Sequence, residues 1–212
     1  AGIDARRAVM APFVILALPA TRAQQRLCAE QYARDRYVAD TTPAAPNVSA
    51  ARGANGKIKL GYFSPDFRTH AVSFLTAGLL EQHDRARFEV HAFSLSPPSD
   101  DAMRARLQAV VEHFHDVAHL SDAAIAAFAR EQGIAIAIDL AGHTYGARPG
   151  IFARRAAPVQ VQYLGYPGSM GVPFIDYTFG DDIVTPAAYL PDYSEKIAYL
   201  PHCFQVNDDQ RR

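Results

Sequence analysis

The chain has 212 residues, 21 Lys and Arg against 22 Asp and Glu, a net charge of −1, and 49% apolar residues. These values describe one ordinary soluble globular domain, or a domain with an appendage, able to bury roughly 70% of its unfolded surface without disulfides or metal. They exclude collagen-like, disordered and membrane-bundle chains, and they leave no global field to attract nucleic acid or anionic lipid, so a bound anion must be held by a local site.

In chain order, the first feature is an apolar run from Ala8 to Ala20, which carries Pro12 and Pro19 and is too short to span a bilayer. Arg6 and Arg7 before it and Ala20-Thr21-Arg22-Ala23 after it imitate a secretory signal. The run passes directly into a stretch where Leu27, Cys28, Gln31 and Tyr32 form a narrow stripe at helical spacing, so residues 1–40 read as a packed helical connector. Cys28 and Cys203 cannot form a disulfide framework and agree with a reducing cytoplasm, which is the expected location. Residues 41–56 turn to Thr, Pro, Ala, Asn, Ser and Gly, and Pro43 and Pro46 make them a linker.

From residue 57 to 212 short apolar runs alternate with helical segments. Lys57 to Phe63 is a strand with Ile58, Leu60 and Tyr62 on one face. A helix over Ala71 to Gln82 follows, capped by Thr69, with Val72, Leu75, Leu79 and Leu80 turned inward. Phe88 to Leu95 is the second strand, and Ser99 or Asp100 caps an amphipathic helix reaching about His113. Ser121 and Asp122 start the next helix and Gly133 stops it. Ile134 to Leu140, apolar except for one late aspartate, fits a central parallel strand covered on both faces. Gly142 to Gly146 makes a tight connection, Arg148 to Arg155 a short helix, and Val159 to Leu164 another strand. Tyr177 to Gly180 and Lys196 to Leu200 are shorter strands. This alternation predicts an α/β fold, a Rossmann-like doubly wound parallel sheet.

In such a sheet ligands lie beyond the carboxyl ends of the strands, which singles out the loops after Phe63, Leu95, Leu140 and Leu164. Ser64-Pro65-Asp66-Phe67-Arg68-Thr69-His70 places a carboxylate and an imidazole four residues apart, a pair able to take or relay a proton near neutral pH. The blander alternative is a turn-capping Asp66 and a surface His70. Asp139 to Arg148, with His143, Thr144 and Arg148, joins a buried strand to a helix through glycines that let backbone amides approach a ligand. Leu164-Gly165-Tyr166-Pro167-Gly168-Ser169-Met170-Gly171 is stiff at Pro167 and bare elsewhere, suited to main-chain contacts with a sugar or phosphate, or alternatively a turn required only by strand geometry. No dinucleotide fingerprint, Walker loop or Gly-x-Ser-x-Gly elbow is present. The spacing of His83, His91, His113, His115 and His119 makes no metal site, and His113 and His115 read as solvated surface.

Lys59-Leu60-Gly61-Tyr62-Phe63-Ser64-Pro65-Asp66-Phe67 with His70, Gly146-Ala147-Arg148, Phe152 through Gln160 with its Pro158-Val159-Gln160 ending, and Leu164-Gly165-Tyr166-Pro167-Gly168 together resemble the O-GlcNAc transferase and SPINDLY family of glycosyltransferases. Asp176-Tyr177, Tyr193-Ser194-Glu195-Lys196 and Leu200-Pro201 continue the resemblance, which covers about residue 57 to the end. It implies the first lobe of a two-lobed, metal-independent, inverting enzyme that moves N-acetylglucosamine from UDP-GlcNAc to Ser or Thr of proteins. It also implies that a second catalytic lobe, and tetratricopeptide repeats upstream of the connector, lie outside this chain. By position, Asp66 and His70 match the two family residues proposed as base, and Leu164, Gly165 and Pro167 match the loop lining the sugar pocket. Many members have Asn-His-Pro-Thr where this chain has Thr69-His70-Ala71-Val72. The implied partners are protein acceptors and the second lobe, with no cofactor, metal, nucleic acid or membrane. Relatives using GDP-fucose or UDP-glucose, or a non-catalytic partner-binding module, are the alternatives. Abundant arginine and alanine, with Lys57, Lys59 and Lys196 as the lysines, fit a high-GC bacterial genome.

Overall fold

The computed structural model describes residues 10–37 and 56–210. The expected linker, apart from Gly56, lies outside the described residues.

The elements are α1 (Pro12–Ile15), α2 (Arg22–Tyr37), β1 (Ile58–Ser64), α3 (Ala71–Glu81), β2 (Phe88–Ser94), α4 (Ala102–Val110), β3 (His113–Asp116), α5 (Asp122–Glu131), β4 (Ile136–Asp139), α6 (Gly150–Ala153), β5 (Val159–Gln162), β6 (Tyr177–Gly180) and β7 (Lys196–Tyr199), with a 3-10 turn at Ala187–Asp192. The seven strands among the described residues form one sheet in the order β3-β2-β1-β4-β5-β6-β7, every pairing parallel. Strand order reverses between β1 and β4, and in doubly wound sheets such a switch point is where ligands bind, beyond the carboxyl ends of the strands.

Two-residue periodicity sorts the side chains onto two faces. Leu60 and Tyr62 of β1 and Val90 and Ala92 of β2 pack with Leu80 of α3 and Leu107 of α4. Phe63 and Phe93 point the other way, their rings stacked at 4.4 Å, and join Ile125 of α5, Phe152 of α6 and Ala33 of α2. Each face therefore has its own buried cluster, as a doubly wound sheet requires. The connector is not a loose appendage: Gly171 lies so close to α2 that a Cβ there would sit 2.5 Å from the Glu30 nitrogen, and Arg26 donates to the Pro191 and Tyr193 carbonyls.

Helix boundaries follow caps. Ser121 Oγ accepts the Ala124 amide at the start of α5, and Gly133 takes a left-handed φ of +74° after it. Two caps differ from expectation. Asp101, rather than Ser99 or Asp100, accepts the Arg104 amide at 2.9 Å, and Thr69 spends its hydroxyl on Asp101, so His70 caps α3.

The largest correction concerns the segment after α4. Val111 is extended, the helix ends at Val110, and His113–Asp116 forms the parallel edge strand β3. His113 is exposed as expected, but His115 is not solvated surface: it stands edge-on to Phe128 with ring centroids 5.0 Å apart, and burial lowers its pKa to about 4. Arg104, 4% exposed, ties α4 to this edge through Ser94 and Asp116. The remaining differences are small. The helix expected from Arg148 shortens to Gly150–Ala153, and the fourth and fifth strands stop at Asp139 and Gln162.

Candidate active site

Parallel pairing sends the loops after β1, β4 and β5 to the same edge, with β4 between the other two. At a strand spacing of about 4.8 Å, the β1 and β5 loops start about 10 Å apart. The loops also touch. A Cβ on Gly146 would meet the Pro65 ring at 3.1 Å, one on Gly142 would meet Tyr166 at 2.5 Å, and one on Gly165 would lie 2.1 Å from the Leu140 carbonyl oxygen.

After β1, the Asp66 amide donates to Ser64 Oγ and the Asp66 carbonyl accepts the Ser73 hydroxyl, fixing the backbone that presents the carboxylate. Asp66 is 6% exposed, with Oδ1 3.5 Å from Arg68 Nη2 and Oδ2 3.6 Å from His70 Nδ1. His70 Nδ1 accepts the Val72 amide at 3.3 Å. A neutral imidazole that accepts at Nδ1 carries its hydrogen on Nε2. The ring, about two-fifths exposed, therefore shows a donor to solvent while the cap bond is kept. Turning Nδ1–H toward Asp66 Oδ2 would break the cap and free the Nε2 lone pair. The pair thus has one side chain that accepts a proton as it stands and one that does so after a small rotation.

After β5 the chain makes a γ-turn, with the Gly165 amide donating to the Tyr163 carbonyl at 2.9 Å. Its central residue, Leu164, has φ +71°, a strained conformation costing about 1–3 kcal/mol for a residue with a Cβ. Surrounding bonds enforce it. Gln162 Nε2 donates to the Tyr166 carbonyl, closing the loop from below. Beyond Pro167, buried Glu195 accepts the Met170 amide and the Ser169 hydroxyl at 2.7 and 2.8 Å. Burial raises the Glu195 pKa, against the hydrogen bonds that lower it. Leu164, Tyr166, Pro167 and Gly168 line a small cavity of about 70 Å³, and Pro167 is exposed at its mouth.

After β4 the side chains are committed to the scaffold. His143 lies between the Tyr32 and Tyr166 rings with Nε2 2.9 Å from the Met170 carbonyl, and burial lowers its pKa. Thr144 donates to the Ala141 carbonyl, and Arg148 donates to Asp122 and to the Leu120 carbonyl. The structure therefore brings Asp66, His70, Leu164, Gly165, Pro167 and Gly168 to one rim, on which Asp66 is buried and Pro167 exposed, with Tyr166, His143, Thr144 and Arg148 beneath and beside it.

The positive φ of Leu164 carries no recognisable sequence motif, and the role of Asp139 shows in the sequence only as the charge that breaks an apolar strand. Asp139 is 1% exposed; its Oδ1 accepts the Ala141 and Gly142 amides, and its Oδ2 has no hydrogen-bond partner among the described residues. Burial raises its pKa to about 6, with the two amide bonds opposing. Folding thus favours the neutral form, and the penalty, absent below about pH 4, grows as pH rises through 6. Asp139→Asn keeps the amide acceptor and cannot ionise. Its stability relative to the wild type is expected to improve by about 2 kcal/mol between pH 4 and 7.5 in urea denaturation. Parallel pH dependences for the two proteins would refute this.

A cavity of about 550 Å³ lies elsewhere, between α2 and the Gly171–Phe174 segment, with Arg26, Arg34, Tyr37 and Arg155 in its lining. Its walls hold no pair comparable to Asp66 and His70.

The family model described as glycosyl transferase family 41 matches residues 22–212. The SEC protein of Arabidopsis thaliana, described as a probable UDP-N-acetylglucosamine–peptide N-acetylglucosaminyltransferase, is 39% identical over 198 residues, which cover 93% of this chain and 20% of that protein. The Caenorhabditis elegans UDP-N-acetylglucosamine–peptide N-acetylglucosaminyltransferase is 38% identical over 153 residues, 72% of this chain and 13% of that one. Among solved structures, a mutant O-GlcNAc transferase of Thermobaculum terrenum superposes with a TM-score of 0.79 at 30% identity, over 91% of this chain and 37% of that chain. The chain thus spans a fifth or less of these two curated relatives. No helix among the described residues is long and apolar enough to cross a membrane.

Proposed function

The chain belongs to glycosyltransferase family 41, and from that premise we propose that it is the acceptor-side lobe of a larger inverting enzyme that transfers N-acetylglucosamine from UDP-GlcNAc to Ser or Thr of proteins. The observation carrying this reading is the rim itself, where a proton-accepting pair and a strained backbone turn converge at the switch point of the sheet. The names of the relatives supply the donor and the acceptor class.

In the proposed reaction the acceptor hydroxyl oxygen attacks the anomeric carbon, and the bond from that carbon to the diphosphate oxygen breaks, its electron pair leaving with UDP. The hydroxyl proton passes to the Asp66–His70 pair. In the geometry above, Asp66 receives it while His70 Nε2–H holds the acceptor, and the roles exchange if the ring leaves its cap. The exposed edge of the Leu164–Gly168 turn lies against the sugar. The leaving diphosphate needs positive potential. The cations near this rim are engaged, Arg68 with Asp66 and Arg148 with Asp122, so that part of the work is assigned to a second lobe. Transfer needs no metal in this scheme, and its setting is the cytoplasm, in keeping with the free thiols of Cys28 and Cys203.

A single-turnover assay with UDP-GlcNAc and an acceptor peptide separates the parts. This chain alone is expected to form no product above the uncatalysed background, whereas the full-length enzyme does. Clear product from the chain alone would overturn the division of labour.

A further inference from the structure

The edge of the sheet formed by β2 and β3 carries a second cluster that the transfer reaction does not use. Parallel register places Lys59 beside Glu89, and His91 beside His113, while the two-residue period puts Glu89 and His91 on the same face. Glu89 Oε1 lies 3.0 Å from His91 Nε2 and 3.4 Å from His113 Nε2, and no two of the three ligating atoms are more than 4.8 Å apart. His91 is fully buried, and the His113 side chain is about half exposed at the mouth of the cluster.

We propose that Glu89, His91 and His113 form a binding site for a zinc ion that clasps the edge strand β3 to β2. Two imidazole nitrogens and one carboxylate oxygen are a ligand set suited to Zn²⁺. Ligands about 2.1 Å from a tetrahedral ion stand about 3.4 Å from one another, close to the two spacings made by Glu89. The outer support is also present. His91 Nδ1 lies 3.1 Å from His115 Nε2, so His91 can donate there and turn its Nε2 lone pair to the ion, the arrangement that orients metal-bound histidines. Phe93 packs on His115 at 4.8 Å and holds that partner in place. A fourth position opens past His113 to solvent.

The charged neighbour to be accounted for is Lys59, whose Nζ lies 3.2 Å from Glu89 Oε1. It competes with the ion for that oxygen and swings aside when the ion binds. The site is separate from the reaction, because His91 precedes the strand end Ser94 by three residues, about 10 Å below the transfer rim.

The test uses the untagged chain carrying Cys203→Ser, which removes the exposed thiol, titrated calorimetrically with zinc chloride. One equivalent is expected to bind and to raise the melting temperature. His113→Ala, a change at a half-exposed position, should weaken binding at least tenfold. Lys59→Met should tighten it, an effect that a merely structural hydrogen-bonded cluster would not produce. No binding by a folded chain, or binding unaltered by His113→Ala, would overturn the proposal. Glu89→Gln gives an independent reading if His113→Ala fails to fold.

Discussion

His70→Asn in the full-length enzyme is expected to leave the fold standing and to lower kcat at least a hundredfold. The substitution separates the two roles of this side chain. As the cap of α3, His70 does no more than accept the Val72 amide at 3.3 Å, and asparagine is among the best residues for that task. Stability should therefore stay within about 0.5 kcal/mol of the wild type. As half of a proton-accepting pair 3.6 Å from Asp66, the imidazole has no substitute in an amide, and loss of general-base assistance costs about 10²–10⁴ in rate. Asp66→Asn should lower kcat by a similar factor, and the double variant should lose little more than either single one, because the pair acts as a unit. Normal kcat in His70→Asn, at unchanged melting temperature, would reduce His70 to a helix cap.

Gly165→Ala carries the largest expected structural effect. Its Cβ would stand 2.1 Å from the Leu140 carbonyl oxygen, 3.1 Å from that carbonyl carbon and 3.3 Å from Ala141 Cα, all of them backbone. None can yield by changing a rotamer. The opposing segment is anchored by Asp139 to the Ala141 and Gly142 amides, and the turn is closed by Gln162 on Tyr166. Either β4 or the turn must shift by about an ångström, and crowding of this kind in a packed region costs about 3 kcal/mol. The same displacement moves Leu164 and Pro167 relative to Asp66, so activity should fall about a hundredfold in whatever fraction remains folded. Pro167→Ala, at an exposed position of the same turn, should leave the melting temperature nearly unchanged. Urea denaturation of the two variants side by side checks the contrast, and equal stability would mean that the loops do not meet as described.

The alternation of strand and helix, and hence the doubly wound sheet, was legible because period-two and helical patterns are local and because Ser121 and Gly133 mark one helix unmistakably. Three things escaped for physical reasons. The strand His113–Asp116 is four residues of His, Phe and Asp, whose place is set by the neighbouring β2 ladder rather than by apolar content. The left-handed Leu164 is invisible because side chains with a Cβ give no advance notice of positive φ; the flanking glycine was the nearest hint. The meeting of Glu89, His91 and His113 depends on register between strands more than twenty positions apart in sequence, which spacing along one chain cannot express. Asp139, by contrast, stood out as the one charge in an apolar strand; its burial and raised pKa explain why that break matters.

The most direct measurement is a crystal structure of the full-length enzyme with UDP-GlcNAc and an unreactive acceptor peptide. The acceptor oxygen is expected within hydrogen-bond reach of Asp66 or His70 Nε2, the sugar against the backbone of Leu164–Gly168, and the diphosphate in the grip of residues outside this chain. Donor and acceptor seated instead in the cavity between α2 and Gly171–Phe174, with the Asp66–His70 edge bare, would contradict it.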